Sequence, residues 1–130
     1  MFRHSRQTQR PIEDTLRGLP SGFVVYVVEG TYVVVGTTGV FVIAENSIDL
    51  HAAAAAAAIG AHRLRSELAD ALPFVPFVDA IAVGSCATPS DLPALIVPHD
   101  MVESTIVGGP TVIDWSTLES LQHLSYPVLY

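Results

Sequence analysis

The five histidines and the single cysteine are the first residues to consider as metal ligands or nucleophiles. His51 and His62 lie in one helical pattern about three turns apart, so they cannot hold one ion together. Asp100, after His99, is typical of a helix cap. Cys86 follows a strand pattern without a nucleophile motif, which favours a packed or loop thiol. These residues therefore predict no catalytic or metal site.

The charge of the chain argues against phosphate binding. Thirteen acidic residues stand against six arginines and no lysine, for a net charge of −7. The glycine turns at Gly36–Gly39 and Gly108-Gly109 lack the lysine and the spacing of a phosphate-binding loop. Three of the arginines fall in residues 1–10, which we predict to be a disordered tail. Because an acidic body repels phosphates, we predict no nucleic-acid partner, and we predict no cofactor.

The length and composition predict one globular domain over residues 11–130. A chain of 130 residues, 50% of them hydrophobic and 15% charged, is long enough to bury a core. One cysteine, and no apolar run directly after the charged start, indicate a cytoplasmic setting. The lysine-free, alanine-rich composition is typical of a GC-rich bacterial gene.

Residues 23–45 contain three short patterns rich in β-branched side chains. The patterns Phe23–Val28, Tyr32–Val35 and Val40–Glu45 are separated by turns at Glu29-Gly30 and Gly36–Gly39. The stretch is as long as a membrane span, but its glutamate and glycines favour strands joined by turns. We predict an antiparallel three-strand meander with both faces covered, and no membrane segment.

A helical period replaces the strand pattern after residue 46. Asp49 is the predicted N-cap of a helix over Leu50–Leu72, followed by strands over Phe77–Val83 and Ala94–Val97. The other predicted elements are helices over Ile12–Leu19, Pro98–Ser104 and Trp115–Leu124, the last capped by Asp114, and a sixth strand or extended link over Thr111–Ile113. The order predicts an α/β (α+β) fold with a mixed central sheet, a long crossover helix and a C-terminal helix.

Two segments carry a resemblance to a known family. Leu16–Pro20 reads Leu-Arg-Gly-Leu-Pro, and Thr31–Ile43 reads Thr-Tyr-Val-Val-Val-Gly-Thr-Thr-Gly-Val-Phe-Val-Ile. A weaker similarity covers Leu68–Val83. Together with the order of elements, these residues resemble the nuclease-related domain (NERD) family over about residues 12–97. The resemblance implies a restriction-endonuclease-like core.

The resemblance also implies where a nuclease site would lie. Family members show Asp-His before the first matching strand and an acid-x-lysine motif after the second, so that two carboxylates hold a divalent metal and the lysine orients a water. Here the acid positions are Thr31 and Ala44, and Tyr32 takes the histidine position. Asn46 takes the lysine position. These vestigial positions predict that the chain is not a catalytic nuclease.

Glu29 and Glu45 are the carboxylates nearest to those positions and are weak candidates for a displaced metal site. Glu45 lies one residue beyond the expected acid, and one step along a strand turns a side chain to the other face. A β-bulge near Ala44 would be needed to turn it back. We favour the alternative, two solvated carboxylates at strand ends.

The C-terminal end contains candidates for partner binding. Trp115 on the last predicted helix, with Tyr126 and Tyr130 in an apolar tail, suits packing on the domain itself or on a partner. We therefore predict a non-catalytic nuclease-like domain that binds a protein partner, or a second copy of itself, as a scaffold module.

Two other functions stay open from the sequence. One is a metal-dependent nuclease that uses the displaced pair Glu29 and Glu45. The other is a small-ligand binder in the vestigial groove, lined by Thr31, Ala44 and Asn46. A polar pair in an apolar groove can orient a ligand, which is the reason for keeping this alternative.

Overall fold

A five-stranded mixed sheet with helices on both faces organises the chain. The structure is a computed structural model, and it describes residues 11–28, 30–45, 49–71, 78–84, 93–114 and 116–117. The elements are, in chain order, helix α1 (Pro11–Arg17), strands β1 (Val24–Val28), β2 (Thr31–Gly36) and β3 (Gly39–Glu45), helix α2 (Leu50–Ala71), strands β4 (Val78–Val83) and β5 (Leu95–Val97), a 3-10 helix (His99–Met101) and helix α3 (Val102–Val107).

The strands lie in the order β1-β2-β3-β4-β5, and the pairing changes from antiparallel to parallel at β3. Two-residue connections join β1 to β2 and β2 to β3, because Val28 pairs with Thr31 and Gly36 with Gly39. Gly30 in the first connection has a φ of 82°, which side chains rarely tolerate. The parallel half needs a crossover, which α2 supplies. The predicted meander, mixed sheet and crossover helix are confirmed.

Helix α2 begins and packs as its sequence predicts. Asp49 Oδ1 accepts hydrogen bonds from the backbone N–H groups of His51 and Ala52, at 3.0 and 3.2 Å. Apolar residues at helical spacing form a stripe along α2 that is buried at Ala54, Ala57, Ala61, Leu64 and Leu68. Although the helix has 22 residues, no helix among the described residues combines the length and apolar character that a bilayer crossing requires.

The two faces of the sheet pack against different partners. Alternate residues of each strand point to opposite faces, so each face has its own core. The face toward α2 is lined by Tyr26, Val33, Val35, Val40, Val42 and Val78, and by the alanines Ala44 and Ala82. The face toward α1 and α3 is lined by Val25, Val34, Phe41, Ile43, Ile81 and Val83, with Leu16 and Ile106 from the two helices.

The region after β5 differs in detail from the prediction. The helix expected over Pro98–Ser104 is a 3-10 turn that continues into α3 as far as Val107. Residues 111–113 form a link and not a strand, because the N–H groups of Val112 and Ile113 bond one carbonyl, that of Thr37.

Asp114 caps the start of the next helix, since its Oδ1 accepts from the Thr117 N–H at 2.8 Å. The rest of the helix predicted over Trp115–Leu124 lies outside the described residues, except for its second and third positions. The predicted tail over residues 1–10 and the loop that contains Cys86 lie outside them as well.

Candidate functional site

Thr31, which the resemblance predicts to be the vestigial position of the first acid, begins β2 and faces α2. The residue is buried, with 6% of its surface exposed. Its Oγ1 donates a hydrogen bond to the Val28 carbonyl oxygen at 2.7 Å. Gly60 of α2 lies opposite: a Cβ atom added there would be 2.9 Å from Val42 Cγ1 and 3.8 Å from Thr31 Oγ1. Glycine at position 60 therefore lets the helix backbone come close to the sheet here.

Ala44, which the resemblance predicts to be the vestigial position of the second acid, shares a face with Thr31 but has different surroundings. Tyr32 pairs with Ile43, so the next residues along, Thr31 and Ala44, stand opposite each other. Ala44 is buried in a cluster of small side chains with Ala53, Ala54, Ala57 and Ala82. The groove predicted from the sequence is corrected here, because Ala44 is sealed beneath α2. Asn46 lies outside the described residues.

A cavity of about 260 Å³ lies beside Thr31, between α2 and the strands β1 to β3. Its sheet wall is formed by Val28, Thr31, Val33 and Val42, and its helix wall by Ala56, Ile59, Gly60 and Leu64. Helix α2 packs over β3 and β4 and contacts β2 only marginally, so the space opens where the helix stops covering the sheet. A cavity of about 150 Å³ holds a benzene molecule, and this one is larger.

The lining of the cavity is mainly apolar and its rim is polar. Arg63 and Glu67 complete the lining and are exposed, which places opposite charges at the rim. Ile59 is 57% exposed although it is large and apolar. Among the described lining residues, Thr31 supplies the single hydroxyl group. An apolar cavity with few polar groups is the usual form of a small-molecule site.

The opposite face of the sheet contains a polar cluster at the end of β3. Glu45 is half-buried there, and burial raises the pKa of its carboxyl group, while the charge of His99 lowers it to a smaller extent. His99 Nε2 lies 3.1 Å from Thr15 Oγ1 on α1. This contact ties the turn after β5 to the first helix.

Glu13 is the buried acid of that face. It is 8% exposed, and its Oε2 accepts a hydrogen bond from the Tyr32 hydroxyl at 3.2 Å. Its Oε1 lies 3.5 Å from Arg17 Nη2, one helical turn further along α1. Tyr32, which the resemblance predicts to take the histidine position, therefore points away from the cavity and links α1 to β2.

The sheet separates Glu45 from the vestigial positions. Pairing between β3 and β4 runs without interruption from Val40 to Glu45, and no bulge turns Glu45 toward α2. Glu29, its predicted metal partner, lies outside the described residues, as do the predicted partner-binding residues Trp115, Tyr126 and Tyr130. In the described part of the chain, no three His, Cys, Asp or Glu side chains are grouped to hold a metal ion.

Sequence reasoning missed both the cavity and the polar cluster. Gly60 was the available signal for the cavity, because a glycine within an alanine-rich helix indicates close approach to a neighbour. Thr15 and His99 are far apart in the sequence, so no local sequence pattern could predict the contact between them.

In comparisons with known proteins, no protein family model, no curated protein and no solved structure matches the chain.

Proposed function

We propose that this chain is a non-catalytic relative of the nuclease-related domain, with a restriction-endonuclease-like core, that binds a small and mainly apolar ligand in the cavity beside Thr31. The observation that carries the proposal is the cavity itself, which opens at the position where the family places its first metal-binding acid. Binding without catalysis is the function that fits this combination.

The order of elements supports the proposed core. A helix, a three-strand meander, a long crossover helix, a strand, a short strand and a helix follow one another as in the resemblance. The change from antiparallel to parallel pairing at β3 is compatible with that arrangement. Architecture alone does not give a function, so the role is argued from the site.

The surroundings of the vestigial acid positions support a role without metal chemistry. Two-carboxylate sites need both oxygens on one side of the sheet. Here Thr31 and Ala44 offer at most one hydroxyl on that side, and Glu45 approaches from the other. On the face of the sheet that carries Thr31, the described strands offer no carboxylate that could bind a metal ion placed there.

The walls of the cavity support a small ligand. Val33, Val42 and Leu64 form a tightly packed floor, and Val28 and Ile59 supply apolar surface that a ligand can cover. Burying further apolar surface contributes roughly 25 cal/mol per Å². A molecule with one aromatic ring and a short substituent matches the volume, given that benzene fits about 150 Å³.

A matched pair of helix variants tests the proposal. Ala56 and Ala55 are adjacent exposed alanines of α2, but only Ala56 lines the cavity. Amide NMR spectra recorded with a library of single-ring fragments should show shifts around Val33, Val42 and Leu64. In Ala56→Phe these shifts should disappear, because the ring occupies the entrance.

The control is Ala55→Phe, which carries the same helix-propensity cost on a face turned away from the cavity. It should bind the fragments as the wild-type chain does. The proposal is wrong if no fragment shifts these amides, or if Ala56→Phe binds as well as Ala55→Phe. A thermal shift with Mn²⁺ or Mg²⁺ that is lost in Glu45→Ala would instead support the displaced nuclease site.

Binding to a protein partner stays a prediction from the sequence. Its candidate residues, Trp115, Tyr126 and Tyr130, lie outside the described part of the chain. A tagged pull-down from the native host followed by light scattering measures this role separately. Ligand binding in the cavity and partner binding through the C-terminal end are compatible with each other.

A further inference from the structure

The direction of one hydrogen bond restricts what the cavity can bind. Thr31 Oγ1 and the Val28 carbonyl oxygen are 2.7 Å apart. A carbonyl oxygen only accepts, so the threonine hydroxyl must donate its proton there. A hydroxyl group has one proton and two acceptor lone pairs, and the proton of Thr31 is therefore committed to the hairpin.

The lone pairs of the Thr31 hydroxyl can still accept a hydrogen bond at the wall of the cavity. Thr31 forms part of the lining, and its Oγ1 lies 3.8 Å from the place of a Cβ on Gly60, so the oxygen points toward the helix wall. The residue is only 6% exposed, which limits access to bulk water. A buried acceptor strengthens any hydrogen bond that a ligand donates to it.

The rest of the lining gives no reason for a net charge on the ligand. The side chains of Val33, Val42 and Leu64 are apolar, and the rim combines one cation, Arg63, with one anion, Glu67. A full charge among the apolar walls would carry a large desolvation cost without a buried counter-charge.

We infer that the cavity recognises a small neutral alcohol or phenol, whose apolar body lies against Val28 and Ile59 and whose O–H group donates to Thr31 Oγ1. This inference rests on the proposed function, because it specifies the ligand of the same cavity. A ligand that carries only an acceptor, such as an ether, meets the acceptor face of Thr31 and forms no hydrogen bond with it.

Two probes that differ in the donor test the inference. Benzyl alcohol and benzyl methyl ether share the ring and the oxygen, but only the alcohol donates. Their dissociation constants are measured by NMR titration of the full chain, with the amides around Leu64 as reporters. Wild-type protein should bind the alcohol about five- to tenfold more tightly than the ether, as expected for one net hydrogen bond.

The variants Thr31→Val and Thr31→Ser close a thermodynamic cycle that cancels the different size and hydration of the two probes. In Thr31→Val the preference for the alcohol should fall to about one, since the acceptor is gone. In Thr31→Ser, which keeps the hydroxyl, the preference should persist.

The outcomes separate this inference from the proposed function. If neither probe shifts the amides around Leu64, both the cavity site and its specificity are wrong. If the ratio of the two dissociation constants is the same in wild-type protein and in Thr31→Val, the donor rule is wrong while the cavity remains a binding site. If Thr31→Val does not fold, Thr31→Ala, which also lacks the hydroxyl, closes the same cycle.

Discussion

The two faces of the central sheet solve the same packing problem with side chains of different size. Toward α2, Ala44 and Ala82 of the sheet pack against alanines of the helix, so the two layers lie close together. Toward α1 and α3 the contact is made by large side chains, among them Leu16, Ile43 and Ile106. Close packing of small residues holds α2 over β3 and β4, and the cavity opens where that contact ends.

The difference explains why one face of the sheet is packed continuously while the other borders a cavity. Large side chains fill irregular gaps because their rotamers adjust, so the α1 face is a continuous core. Alanines cannot extend to fill space beyond their own contact. Val42 still lies close to α2 at Gly60, and the cavity lies beside this close approach, where Val28 and Thr31 line it.

Truncation on the α1 face is expected to have the largest effect on stability. Leu16 is fully buried in that core. Leu16→Ala should lower the free energy of unfolding by about 2–5 kcal/mol, through lost burial and the space left behind. Urea denaturation measures the loss, with Leu95→Ala, at a position 57% exposed, as the control. Equal losses in the two variants would contradict a continuous large-residue core.

Enlargement on the α2 face is expected to have the next largest effect. Ala57 is fully buried against the sheet, and Ala57→Leu should cost about 1–3 kcal/mol because the layers have no room to separate. The same change at exposed Ala55 is the matched control and should leave the denaturation midpoint nearly unchanged. If Ala57→Leu were tolerated as well as Ala55→Leu, the close contact described for this face would be wrong.

Removal of the Tyr32 hydroxyl weakens the α1 face by a smaller amount. Tyr32→Phe deletes the hydrogen bond to Glu13 and should cost about 1 kcal/mol. Glu13→Ala and the double variant complete a cycle, and a coupling energy indistinguishable from zero would rule out a contribution from this bond. Fragment binding in the cavity should be unaffected, because Tyr32 lies on the other side of the sheet.

The smallest expected effect is a change in pH dependence at Glu45. Burial raises the pKa of Glu45 above its usual 4.5, and the charge of His99 only partly opposes this. The folded state therefore holds the proton more tightly than the unfolded chain. Stability from this group is complete below about pH 4.5 and is lost as the pH rises through the folded pKa.

Glu45→Gln removes that loss, so its stability should fall less between pH 4.5 and neutrality than that of the wild-type chain. Urea midpoints measured across this interval give the two slopes. The pKa of Asp79 is also raised by burial, with Arg65 opposing, so part of the pH dependence persists in the variant. Parallel curves for the two proteins would show that Glu45 contributes nothing.

Local patterns in the sequence were sufficient for the elements and their order. Runs of β-branched residues and two-residue turns define the meander, and Asp49 with the apolar stripe defines α2, because these signals act between near neighbours. They could not give the cavity, whose volume depends on how far α2 extends over β2. They also could not give the pairing of Glu13 with Tyr32, which requires two elements to be docked.

The change of pairing at β3 also divides the contacts of the sheet by their separation along the chain. Antiparallel partners in β1, β2 and β3 are joined by two-residue connections, so their contacts form at little entropic cost. Val40 finds its parallel partner, Val78, only across the whole of α2. β3 therefore combines local antiparallel contacts with a parallel pairing of long sequence separation, and the second carries the larger loop-closure cost.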